Sequence, residues 1–240
     1  MTTHWRLAVK VMIFGATGMV GQGVLKAALA AEDVSDVLVV GRTALGMTHL
    51  KLQERLFSDL FHLQSEAEAL SGYDACFFCL GTSSFRKTEA QYTRITYDLT
   101  MSVAKVLVAL NPNMVFTYVS GQYTNSTEKG SSMWARVKGR TENALLRAGF
   151  KAVYCFRPNM IQPLDGIRSK TALYQIVYDV LRPILPWLQK TFPNRVLTTR
   201  DMGNAMLNAV RYGYPRAILE IADIAHLARD AHHAQRLELK

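Results

Sequence analysis

Near the start of the chain, Gly15-Ala16-Thr17-Gly18-Met19-Val20-Gly21 carries three evenly spaced glycines. Glycine removes a side chain where a backbone must turn tightly, approach a charged ligand or let a helix pack closely on a strand. The apolar run Leu7 to Phe14 precedes this loop, and the alanine- and leucine-rich run Gln22 to Ala30 follows it. A glycine loop between a strand and a helix is the context in which such a cluster binds a dinucleotide. The chemistry is electrostatic: unpaired N–H groups and the partial positive charge of a helix N-terminus receive a pyrophosphate.

A second charged position refines the choice of ligand. After the short apolar run Val37 to Val40 come Gly41 and Arg42, where a site for NAD usually holds an Asp or Glu that bonds the ribose 2′-hydroxyl. Arginine cannot accept that bond, but its fork can grip a 2′-phosphate, so NADP(H) is expected ahead of NAD(H). Asp36 reads as lying before this strand and out of place for the ribose. Cys76 and Cys79 form a CxxC, yet they sit in the strand-like DACFFCL with no second pair or nearby His to complete a metal site. Together with Cys155, they read as reduced thiols in apolar runs, and no metal is expected.

These groups need a scaffold, and composition bounds it. The chain has 240 residues, 49% hydrophobic and 20% charged, enough to bury a large core and unlike a disordered or fibrous chain. A net charge of +9 invites a polyanion, but the basic residues are dispersed and no nucleic-acid-binding motif accompanies them, which argues against that partner. No apolar stretch approaches the ~20 residues of a spanning helix, and the N-terminus opens on a strand pattern instead of a signal sequence. A cytoplasmic protein is expected, with no more than weak peripheral membrane contact. It should act as a monomer or homodimer on a small-molecule substrate.

Three further apolar runs have strand length: Ala75 to Leu80, Met114 to Val119 and Ala152 to Phe156. Helical stretches from Glu89 to Leu110 and from Met133 to Arg147 separate them. Alternating strands and helices imply a parallel sheet covered on both faces, because each parallel crossover needs room for a helix. The expectation is an α/β, Rossmann-type doubly wound parallel sheet, one domain over residues 1–240, with 159–200 forming a small C-terminal substrate-capping region. Pro163, Pro183, Pro186 and Pro193 interrupt that region. Within it, Ala172 to Leu188, with Arg182 and Trp187, could line an apolar pocket, touch a membrane, or pack on the core or on a second subunit. Thr198 to Asp201 has the form of a helix-capping box, after which Met202 to Tyr212 continues as a helix. Ala225 to Lys240 reads as a polar helical tail.

The glycine loop and Arg42 combine with CLGT at Cys79 to Thr82, Val119-Ser120, VKGRTE at Val137 to Glu142 and FRPNMI at Phe156 to Ile161. On these motifs the chain, from Val9 to about Ala209, resembles atypical short-chain dehydrogenase/reductases. Within them it is similar to the NAD(P)-binding group of the Tat-interacting protein and bacterial epimerase/dehydratase-like proteins. The resemblance implies that Gly15, Thr17, Gly18, Met19, Val20 and Gly21 hold the pyrophosphate, Arg42 the 2′-phosphate and Asp59 the adenine edge. It places Leu80, Gly81 and Thr82 beside the ribose and nicotinamide, and Pro158, Asn159 and Met160 near the carboxamide.

Active members of that superfamily use a Ser, a Tyr and a Lys, the last two spaced as YxxxK. The resemblance matches Ser120 and Lys138 to this set, but the position four before Lys138 is Trp134. A phenol beside an ammonium loses its proton more readily and can exchange it with a substrate oxygen. Indole donates a hydrogen bond but does not titrate usefully, so Trp134 can line a substrate pocket without acting as an acid. Tyr123, three residues after Ser120, is a candidate replacement phenol, and Lys138 can bind the ribose hydroxyls even without proton transfer. Two functions follow from these residues. One is an NADP(H)-dependent oxidoreductase or epimerase-like enzyme on a small carbonyl or hydroxyl substrate, with Ser120 holding the carbonyl oxygen. The other is a non-catalytic redox sensor or interaction module that keeps the dinucleotide as a ligand.

Overall fold

The computed structural model describes residues 8–167 and 196–229. Its centre is a parallel sheet of β1 (Val9–Phe14), β2 (Val34–Gly41), β3 (Leu52–Leu56), β4 (Ala75–Phe78), β5 (Val115–Val119), β6 (Ala152–Phe156) and β9 (Ile218–Leu219). Their spatial order is β3-β2-β1-β4-β5-β6-β9. The chain runs outward from β1 to one edge, then returns to continue on the other side through β4. That reversal opens the crevice where doubly wound sheets bind ligands, at the carboxyl ends of β1 and β4.

The two-residue period of a strand decides which face each side chain covers. In β1, Val11 and Ile13 join Val37, Val39 and Phe77 under α1 (Met19–Ala30) and α5 (Thr199–Tyr212). Met12 and Phe14 join Leu38, Val40 and Phe78 on the opposite face, under α3 (Leu99–Leu110) and the 3₁₀ turn Leu60–Glu66. On that second face the Phe78 ring stacks between Phe14 and Phe116 at centroid distances of 5.5 and 5.8 Å. Every one of these side chains is buried, so the strands read as apolar runs instead of alternating ones.

Several elements differ from expectation. β2 begins at Val34, so Asp36 lies inside the strand, where it pairs with Lys10 at 3.6 Å, instead of before it. The helix expected from Glu89 to Leu110 comprises α2 (Glu89–Thr93), a π-helical turn Arg94–Asp98, and α3. At that turn the Arg94 guanidinium lies over the Phe61 ring and that of Arg140, from α4 (Met133–Leu146), over the Tyr97 ring. The less regular region after Pro158 contains a small parallel pair, β7 (Ile161–Gln162) with β8 (Leu197–Thr198). At Thr198 the expected capping box is present, with the hydroxyl accepting from Asp201 N at 3.0 Å and the Asp201 carboxylate accepting from Thr198 N at 2.8 Å. The helix it opens begins at Thr199, directly after the capping threonine, and runs to Tyr212. α6 (Ile221–Arg229) buries Ile224, Ala225 and Leu227, so the start of the expected polar tail is a core helix. Ala172 to Leu188, with Arg182 and Trp187, lies outside the described residues, as do Pro193 and residues 230–240.

Candidate dinucleotide site

The glycine turn sits at the carboxyl end of β1, where side chains would have nowhere to go. Gly15 has φ +81, and a Cβ there would come within 2.7 Å of Leu80 N and 2.9 Å of the Cys79 carbonyl carbon. The first glycine therefore lets β1 and the segment after β4 meet backbone to backbone. A Cβ on Gly21 would lie 2.1 Å from Gly15 O, so the third glycine lets the helix fold back onto its own entry turn. Between them, Gly18 N donates to Gly15 O at 2.9 Å and Gly18 caps α1 with no side-chain hydrogen bond. The first turn of α1 holds no acidic residue. Its leading N–H groups thus have neither a side-chain cap nor a competing negative charge, an arrangement suited to an anion.

Thr17, Gly18, Met19 and Val20 are all partly exposed around this turn. Leu80 is brought against Gly15, with Gly81 exposed and Thr82 half-buried just beyond. Arg42 is exposed past the end of β2. Asp59 caps the 3₁₀ turn: its carboxylate accepts from Phe61 N at 3.0 Å and meets His62 at 3.1 Å. The Phe61 N–H is the main reason its pKa is held below the usual carboxylate range. Cys79 is a free thiol whose burial pushes its pKa up to about 12, a value that makes it an inert neighbour of the crevice.

A second group of predicted residues converges at the carboxyl ends of β5 and β6. Lys138, on α4, donates its ammonium to Ser120 O. Gly121 has φ +135, and a Cβ there would lie 3.8 Å from Lys138 Nζ and 3.9 Å from Pro158 O. Gln122 N donates to that same Pro158 oxygen at 2.8 Å, which ties the β5 loop to the β6 loop. Beyond the buried Pro158, Asn159 is exposed and Met160 half-buried. Burial lowers the Lys138 pKa to about 8, against the pull of the Glu142 carboxylate, which raises it.

Ser120 is 3% exposed and its hydroxyl is already committed, donating to Glu142 Oε1 at 2.5 Å and lying 3.1 Å from Phe156 O. The residue beside Lys138 Nζ is the side-chain-free Gly121. Trp134 stands half-buried one turn before Lys138. Tyr123 has φ +66 and is 76% exposed. Hydroxyls are therefore lacking at Gly121 and Trp134, while Ser120's is turned to a buried carboxylate.

That carboxylate belongs to a cluster that the motif reading did not single out. Glu142 is fully buried and is held by Arg157 through Nε at 3.1 Å and Nη2 at 2.6 Å. Arg157 also reaches Ser126 Oγ at 2.6 Å and Glu220 at 3.2 Å. Burial opposes the Arg157 charge, yet Glu142 and Glu220 outweigh it and raise its pKa. The available signal was helical spacing: Ala135, Lys138, Glu142 and Leu145 follow each other at three or four residues, which places a carboxylate on an apolar stripe.

No protein-family model matches the chain. It is 26% identical to Protein HTATIP2 of Rattus norvegicus over 158 residues, 63% of this chain and 62% of that protein, so less than two thirds of that relative is spanned. It is 24% identical over 226 residues to Protein fmp52-2, mitochondrial, of Aspergillus terreus, covering 91% of this chain and 96% of that one. Its fold matches that of an oxidoreductase of the short-chain dehydrogenase/reductase family from Burkholderia thailandensis, with a TM-score of 0.62 and 19% identity over 97% of this chain and 98% of the other. It also matches the Bordetella bronchiseptica enzyme WbmF in complex with NAD+, with a TM-score of 0.60 and 16% identity over 95% and 78% of the two chains. Glycine turn and strand order agree with these likenesses: the chain has a Rossmann-type fold, like that of the short-chain dehydrogenase/reductase structure it matches.

Proposed function

We propose that this chain binds a nicotinamide dinucleotide across the Gly15–Gly21 turn, NADP(H) ahead of NAD(H), and keeps it as a ligand without a hydroxyl-based proton relay. The observation that carries this reading is the uncapped, acid-free start of α1 beside a turn that only glycine can form. WbmF, of the same fold, was solved with NAD+. When bound, such a cofactor supplies hydride chemistry of its own. This chain's part is to bind and orient it: backbone N–H groups for the pyrophosphate, Arg42 for the 2′-phosphate, Asp59 for the adenine edge and Lys138 for the ribose hydroxyls. Thr82, Asn159 and Met160 flank the nicotinamide end, and Trp134 lines the pocket beside it.

Calorimetry with NADPH and NADH tests this reading. Wild type binds NADPH more tightly, and Arg42→Ala weakens NADPH binding by roughly tenfold or more, the worth of a charge-assisted bond, while leaving NADH nearly unchanged. Absence of affinity for both dinucleotides overturns the proposal.

A second reading, a reductase or epimerase-like enzyme on a small carbonyl or hydroxyl compound, is favoured by Lys138, whose pKa of about 8 suits proton exchange near neutral pH. NADPH oxidation by wild type across a carbonyl and quinone panel, abolished by Tyr123→Phe, supports it. Turnover that appears only in Trp134→Tyr supports the ligand-holding reading.

The compartment we propose is cytoplasmic, consistent with free thiols at Cys76, Cys79 and Cys155. Among the described residues no helix is long and apolar enough to cross a membrane. The Aspergillus terreus relative is named as mitochondrial, so imaging of a tagged chain is the deciding observation. For assembly we propose a monomer or homodimer, without a nucleic-acid partner.

A further inference from the structure

We infer that Ser120, Glu142 and Arg157 form a buried positioning device for Lys138, with the serine's hydroxyl used to aim its own carbonyl instead of a substrate. The inference rests on the reading above in one respect, that Lys138 meets the bound dinucleotide. Every polar group of Ser120 is assigned. Its N–H donates to Phe156 O at 2.9 Å, its hydroxyl donates to Glu142, and its carbonyl receives the Lys138 ammonium. Lys138 and Glu142 lie one turn apart on α4, so the helix supplies both ends of a closed loop: lysine to serine carbonyl, serine hydroxyl to glutamate, glutamate back to the same helix. Arg157, at the end of β6, pins the glutamate through two nitrogens and is itself tied to Ser126 and Glu220.

A buried carboxylate–guanidinium pair is weak evidence of a gain in stability, since well-packed apolar replacements often do as well. What the pair fixes is therefore the informative question, and here it fixes the residue that holds the lysine. The charges that bear on Lys138 are few. Glu142 on its own helix favours the ammonium, and Arg157, bound to that carboxylate, opposes it. Nearby on β5 and β6, Tyr118 and Cys155 are buried with raised pKa values and carry no charge. Arg136 pairs with Glu89 at 2.7 Å, and Arg140 stacks on Tyr97.

The test uses two readouts on the full chain: NADPH affinity by calorimetry, and the titration midpoint of Lys138 in the ligand-free protein by NMR of isotope-labelled lysine, with Lys138→Met to assign the signal. Ser120→Ala leaves the ion pair intact but releases the carbonyl's anchor. It is expected to weaken NADPH about tenfold and to move the Lys138 midpoint up towards that of an ordinary lysine as the side chain leaves its buried seat. Glu142→Gln removes the attracting charge and is expected to move the midpoint down. If Glu142→Gln does not fold, Ser120→Ala alone decides. Unchanged NADPH affinity together with an unmoved Lys138 midpoint overturns the inference, because a purely structural cluster would alter melting without altering either. Wild-type protein that fails to bind NADPH sinks the functional reading instead, and the ligand-free titration still judges the positioning device.

Discussion

Lys138 is where the residue scale is most informative, because its burial makes a signed statement about pH. Its folded pKa is about 8 against an ordinary 10.5. Between those values the unfolded chain holds a proton that the folded chain has released, so the ligand-free protein gains stability from this group as pH rises through that window. Urea unfolding from pH 7.5 to 10.5 should show this rise in wild type, and Lys138→Met should lack it. The lysine was picked out through the YxxxK pattern of the family the chain resembles, in which Trp134 stands where the phenol would be. The fate of the Ser120 hydroxyl was not legible. Whether a residue at a strand's end faces a ligand or the core depends on the loop that follows, and here Gly121, with its positive φ, takes the outward place. Glu142 was visible only as a carboxylate on an apolar stripe, and its partner Arg157 lies 15 residues away, just past the end of β6.

At the scale of elements, a close approach joins α1 and α5. A Cβ on Gly23 would fall 2.3 Å from Thr199 O, and one on Gly203 would fall 2.7 Å from both Gly23 O and the Ala27 Cβ. The two helices touch backbone to backbone, so Gly203→Ala must push them apart. A loss of roughly 1–3 kcal/mol, the usual cost of overpacking, is expected in chemical denaturation. Elements made mostly of buried residues were easy to read: β6 has the expected boundaries, and β1, β4 and β5 lie within two residues of theirs. β3, Leu52-Gln53-Glu54-Arg55-Leu56, was missed because an edge strand carries polar side chains and offers no apolar run. β9 is two residues long, and its pairing with β6 comes from the sheet and not from propensity. The π turn has no periodic signature, since one extra residue only rotates the apolar stripe.

At the scale of the whole molecule, ligand binding should register as global stability. At a free NADPH concentration about a hundred times its Kd, linkage adds roughly 2.7 kcal/mol. For a chain of this size, that corresponds to a rise of roughly 5–10 °C in melting temperature by calorimetry. Arg42→Ala should show a smaller rise at the same concentration, and no rise in wild type would count against the site. The order of synthesis matters as well. Asp33, just after α1, is gripped by Arg211 of α5, 178 residues further along the chain. At roughly 5–20 residues per second, a ribosome delivers that arginine on the order of ten to thirty-five seconds later. Until then Val24, Leu25 and Ala28 lack Met202 and Met206, which complete their side of the core. A nascent chain stalled before Thr199 should therefore be sticky and protease-sensitive, a client for holding chaperones until its distant helix emerges.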